Sequence, residues 1–159
     1  MSQLENKASY KVYFNQIANS NTDIENFLYA DDHSVKDKIK DKTGFTLWLE
    51  PLEPSNVSSN IDNHQTRRNA SLNIVLPVKE SSPTHLQLEE HEEQCEEVVQ
   101  EVISKMLEDS NHHIIHLDIN SIKFGPGNFS FLSTQYVGCR LEFSYTQSSH
   151  LTINPSKWQ

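Results

Sequence analysis

The chain predicts an α+β fold: a mostly antiparallel sheet with a long amphipathic helix packed on one face and an N-terminal helical segment. Three observations predict it. Cys95, Val98, Val99, Val102, Ile103, Met106 and Leu107 recur at the i, i+3, i+4, i+7 spacing of a helix face. Phe45–Leu49, Ala70–Lys79 and Tyr136–Gln147 alternate apolar and polar side chains with the period of two that marks a half-buried strand. Runs of strands broken by one long helix, rather than strands alternating with helices, are the pattern of an α+β layer.

The elements follow in chain order. From Ala8 to Asn19, Tyr10, Phe14, Ile17 and Ala18 fall at helical spacing. Asp23 to Tyr29 carries Ile24, Phe27 and Leu28, which fit either a helical turn or a short extended piece. His33 to Lys42 reads as a short, strongly charged helix with Asp32 or Ser34 as N-cap and Gly44 past its end. Phe45, Leu47 and Leu49 then alternate with Thr46, Trp48 and Glu50, a strand with one buried face that Pro51 and Pro54 close. In the next strand, Ala70 to Lys79, Leu72, Ile74, Leu76 and Val78 share a face opposite Ser71, Asn73 and Val75.

Between these strands, residues 53–69 form a hairpin arm or loop far longer than the two to five residues usual for a hairpin connection. Its composition is rich in Ser and Asn, with one Asp, and it ends in the adjacent pair Arg67 and Arg68. After Ser81, Ser82 and Pro83 comes the long helix, of ~20 residues, its stripe extended by Leu88. The opposite side holds Glu89, Glu90, Glu92, Glu93, Glu96, Glu97 and Glu101, several of them in the first turns, where the helix dipole favours negative charge.

Ile115, Leu117 and Ile119 start a strand that Ile122 and Phe124 continue on a shifted phase, which points to a bulge near Ser121. Gly125-Pro-Gly-Asn turns the chain, and Phe129 and Phe131 alternate briefly. In the closing strand Val137, Cys139, Leu141, Phe143 and Tyr145 form one face, and Arg140, Glu142 and Ser144 the other. Residues 148–159 read as a polar C-terminal tail that includes Trp158. The 159 residues fit a single domain, 1–159, large enough to bury a core without disulfides or metal.

Composition narrows the function. The net charge of -9 argues against a broad basic surface for nucleic-acid phosphates. With four glycines the chain has little material for a phosphate-cradling loop. The N-terminal residues lack a basic stretch followed by an apolar run, and no segment approaches the ~20 apolar residues that span a bilayer, so a soluble, cytosolically assembled chain is expected. Cys95 and Cys139 fall on apolar faces and read as small hydrophobes rather than a disulfide.

Candidate chemistry is sparse. His112, His116 and Asp118 read as one strand face, and two imidazoles with a carboxylate are a legitimate metal set. On an extended strand, however, the two histidines stand roughly 13 Å apart, too far for one ion. His91 and Cys95 share a helix edge without ligand geometry, and no carboxylate pair shows the split environments of a hydrolase. No G-x-S-x-G or comparable nucleophile setting occurs. The expectation is a protein that is not an enzyme, with no cofactor and no metal. What remains is surface: an arm whose Arg67 and Arg68 pair with Glu93, Glu97 and Glu101 of a neighbouring subunit, since arginine binds carboxylates with two parallel hydrogen bonds.

The segments Tyr10–Ala18, Phe45–Leu52, Ala70–Lys79, Val98–Leu107 and Tyr136-Val-Gly-Cys-Arg-Leu-Glu-Phe-Ser-Tyr, in that order, give the chain a layout that resembles phage tail terminator and tail-completion (neck) proteins. The resemblance covers about residues 8–147 and is one of layout, without a diagnostic motif. It implies a ring-forming structural subunit, commonly hexameric, that caps the tail tube or joins tail to head. Its partners would be copies of itself and other tail, tube or connector proteins, with DNA only passing through an acidic lumen and no membrane contact. The place implied is the virion, after assembly in the host cytoplasm. Two other readings stand beside it: an adaptor or inhibitor whose acidic helix meets a basic partner, and a metal-dependent hydrolase built on His112, His116 and Asp118.

Overall fold

The computed structural model describes residues 4–54, 56–60, 63–132, 135–148 and 156, with backbone alone for 56–60, 63, 64 and 148. Helix α1 (Lys7–Ser20) starts at a capping box in which Asn6 and Ser9 each accept the other's backbone N–H at 2.9 Å. Strand β1 (Ile24–Tyr29) follows, then the short helix α2 (Val35–Ile39) and strand β2 (Phe45–Leu49). Strand β3 (Asn56–Asn60) pairs with the long β4 (Asn63–Pro77), and helix α3 (His85–Asn111) leads into β5 (Leu117–Pro126) and β6 (Tyr136–Ser148).

The sheet order is β1-β2-β4-β6-β5, with β3 alongside β4. Only β1–β2 is parallel; the other pairs are antiparallel. A parallel neighbour requires a crossover, and α2 supplies it. The α+β class holds, and Ile24–Tyr29 resolves as a strand rather than a helical turn. At the end of the crossover Gly44 has φ 72°, and a Cβ there would run into the Glu25 carboxylate.

The first face of the sheet carries the main core. Tyr10, Phe14 and Ile17 of α1 and Val98, Val99, Val102 and Met106 of α3 pack on Leu47, Leu49, Leu72, Ile74, Cys139, Leu141 and Phe143. These are the residues whose spacing predicted the two helices and three strands. Burial of such a surface is the main favourable term in folding, about 25 cal/mol per Å² of apolar area.

The second face departs from expectation. The strand around Trp48 was expected to have one buried face, with helices confined to that side. Instead Trp48, Val75 and Phe129 join Ala30, Val35 and Ile39 in a second cluster under α2 and the turn after β5. Trp48 is 1% exposed, and its indole N–H donates to the Ala30 carbonyl at 2.7 Å. Phe129 belongs to a turn, not a strand, and Gly138 makes room for it: a Cβ there would lie 2.6 Å from both the Phe129 ring and the Ile74 carbonyl oxygen.

Helix α3 is longer than the ~20 residues its apolar stripe implied. Its 27 residues begin at a capping box of Thr84 and Gln87 and end where His113 takes a left-handed φ of 57°. Strand β5 bulges between Asp118 and Lys123, as the phase shift predicted, but Ile119 and Phe124 are exposed. The tail expected over residues 148–159 lies outside the described residues apart from the Ser148 backbone and Ser156.

Candidate assembly surfaces

The segment 53–69 is not an irregular loop. Pro51 and Pro54, which have no N–H to give, interrupt what is otherwise one course along β4: β2 pairs with Leu72–Val75, and β3 with Asn63–Arg67. Across the break, Glu50 N–H donates to Ser71 O (3.1 Å) and Glu53 N–H to Asn69 O (3.3 Å). The far end of β6 reaches Gln65, so β3, β4 and β6 form a three-stranded extension rather than a bare hairpin.

Adjacent strand residues point to opposite faces, so Arg67 and Arg68 part company. On the second face, Arg67 pairs with Asp118 at 2.9 Å. Arg68 lies on the first, beside Tyr145 and Gln147; the Gln147 amide is satisfied with its nitrogen toward the Leu4 carbonyl (2.9 Å) and its oxygen toward the Arg68 guanidinium (3.3 Å). Glu93, Glu97 and Glu101 are exposed at i, i+4 spacing on α3. Glu101 accepts from the Asn21 amide at 2.9 Å, whereas among the described residues Glu93 and Glu97 have no ion-pair partner. Since α3 covers the first face, the structure does not bring Arg67 and these glutamates together in one chain.

Sequence reasoning missed the polar half of the second face. There Arg140 holds the Glu50 carboxylate through both terminal nitrogens, the second at 3.2 Å, and also bonds Glu142 (3.1 Å) and Ser71 (3.1 Å). Asn73 adds its amide to Glu50 at 2.7 Å. Beside this network lies a hollow of about 400 Å³ between the root of the extension (Glu53, Arg67) and the β5 bulge (Ser121, Lys123), floored by Ser71 and Ser144. Cations and carboxylates alternate around it, so it presents no single sign of charge. The signal was present in the polar alternation of Ser71 and Asn73 with Arg140 and Glu142, which read as a solvated face.

The histidine reading needs correction. His112 caps α3 and the strand starts only at Leu117, so His112 and His116 do not share a strand face with Asp118. Asp118 is engaged by Arg67. Among the described residues no group of three or more His, Cys, Asp or Glu is placed to hold a metal ion.

Cys95 and Cys139 are buried and free. Burial pushes the Cys95 thiol up to about 12 and the Cys139 thiol up to about 11, so neither offers a thiolate near neutral pH. Burial likewise raises the hydroxyls of Tyr10, Tyr13 and Tyr145 above the usual tyrosine range, with the Asp109 carboxylate adding to the effect at Tyr13. All five folded-state values lie above the unfolded ones, about 8.5 for Cys and 10 for Tyr. Their contribution to stability is therefore complete below those unfolded values and is lost as pH rises from them through the folded values. The Tm is expected to fall steadily above about pH 9; a Tm that rose between about pH 9 and 11 in a melting series would contradict this.

No protein-family model matches the chain, and no curated protein is detectably similar to it. Among the described residues, no helix is long and apolar enough to cross a membrane.

Proposed function

We propose that the chain is a structural subunit of a phage tail or neck, a tail terminator or head–tail joining protein that acts by assembling with copies of itself into a ring. The observation that carries this reading is the β3–β4–β6 extension, which continues the sheet past β2 and, among the described residues, gives β3 a neighbour on one side only. An open strand edge is a ready template for another chain. Arg67 and the Glu93–Glu97 stripe stand on opposite sides of the sheet, so a contact between them would join two different surfaces head to tail, the type of contact that closes rings when the rotation allows. The glutamates would then join a neighbour's cations or line an acidic lumen past which DNA slides. Size-exclusion chromatography with light scattering tests the proposal. A hexamer gives roughly six times the 18.3 kDa chain mass; a mass of one chain at every concentration, alone and with tail-tube protein, counts against it.

A second reading is favoured by the exposed glutamates of α3 alone: an adaptor whose α3 binds a basic partner. It predicts salt-sensitive binding of a basic peptide by the monomer, abolished by Glu93→Gln with Glu97→Gln.

A further inference from the structure

We propose that Glu50 is a positioning residue that fixes the direction of the β3–β4–β6 extension relative to the helical layer. The inference rests on the assembly reading above and adds to it the device that holds the assembling element ready.

Glu50 stands where the ladder along β4 is broken, between the last residue of β2 and Pro51. A break of this kind leaves the extension joined to the body of the sheet through the β4–β6 ladder, because the prolines take away donors that would otherwise continue the pairing along β4 from β2 to β3. Glu50 closes that break from three directions. Its N–H donates to the Ser71 carbonyl of β4 at 3.1 Å. Its carbonyl accepts from the Tyr10 hydroxyl, at 3.2 Å, from α1 on the first face. Its side chain is 17% exposed, and the carboxylate is gripped on the second face by the Arg140 guanidinium of β6 and the Asn73 amide of β4. One residue thus ties together α1, β4 and β6 at the root of the extension.

α1 is itself tied down: Tyr13 donates to the buried Asp109 carboxylate at 2.9 Å near the end of α3. The extension is therefore referenced through Glu50 and α1 to the long helix. A paired, hydrogen-bonded carboxylate in this position holds geometry more than it adds net stability, since the cost of desolvating an ion pair offsets much of its attraction. Holding an interface element in one orientation lowers the ordering cost of binding.

Hydrogen–deuterium exchange on two variants, Glu50→Gln and Arg140→Lys, tests the clamp separately from assembly. Glu50→Gln keeps the shape of the side chain and removes its charge; Arg140→Lys keeps a cation and removes the two-pronged grip. In monomer at low concentration, both are expected to raise exchange at amides 56–60 and 63–69 on the order of tenfold, while amides of Val98–Met106 stay within about twofold of the parent chain. Unchanged exchange over 56–69 overturns the inference. So does loosening spread evenly over the domain, or loss of folding in both variants, since either makes the pair a general stability element. Should the parent chain prove monomeric while the variants loosen the extension as stated, the clamp stands and the ring reading falls.

Discussion

Replacing Val57–Thr66 with a two-residue Asn-Gly turn between the paired Asn56 and Arg67 is expected to leave a folded monomer that no longer assembles. The described residues removed belong to β3 and the start of β4, and their pairing is mostly with each other. What remains is the ladder from Arg67 through Pro77 against Tyr136–Thr146, together with the core of Leu72, Ile74, Leu141, α1 and α3. Leu52, which packs against that core, also stays. Asn-Gly suits the tight turn required, because both positions of that turn need positive φ. The Tm is expected to move by a few degrees, and light scattering to report a single chain under conditions where the parent forms its ring. Two outcomes refute the argument: unfolding, which would make the extension part of the core, or unimpaired assembly, which would place the contact elsewhere.

Trp48→Ala is expected to cost about 3–5 kcal/mol, the range for truncating a large buried aromatic. The ring is 1% exposed and is the largest side chain of the second cluster. It meets Phe129 and Phe131 edge-on, with centroids 6.4 and 5.9 Å away. Its removal opens a cavity between α2 and the sheet and strips the Ala30 carbonyl of its donor. Against a typical total stability of about 5–15 kcal/mol, such a loss lowers the Tm by on the order of 10 °C. Trp48→Phe should cost less, retaining most of the packing and losing the hydrogen bond. A loss below about 1 kcal/mol for the alanine variant in urea titration would show that the second face is not a core.

That second core was the least legible part of the fold. Trp48 and Val75 sit on strand faces otherwise occupied by Thr46, Glu50, Ser71 and Asn73, and a majority-polar face reads as solvated. Their partners, Val35, Ile39 and Phe129, lie in segments too short for a period to show. Strand β1 was ambiguous for a related reason: in six residues, Ile24, Phe27 and Leu28 satisfy a helical turn as well as a strand. Only pairing with Phe45–Leu49 decides it. The long stripe from Cys95 to Leu107 and the alternation from Val137 to Tyr145 were readable because each runs far enough to fix its own period. The stripe stops short of the helix ends, however, which are set by Thr84 and His113. That shortfall put His112 on a strand it never enters.

The candidate surface was partly legible. The exposed spacing of Glu93, Glu97 and Glu101 follows from helix geometry alone. Arg67 and Arg68 read as a basic pair because a loop imposes no facing on its residues. Once the segment is a strand, the period of two sends them apart and only Arg67 stays near the hollow. The Glu50–Arg140 clamp joins residues ninety positions apart, and no local pattern announces it.

Electron micrographs of the purified chain decide whether it forms rings. If these surfaces serve assembly, class averages show closed rings of about six copies around an open centre, and the turn-replaced variant shows none. Single particles of one chain in every condition, with tail-tube protein present as well as absent, contradict the claim.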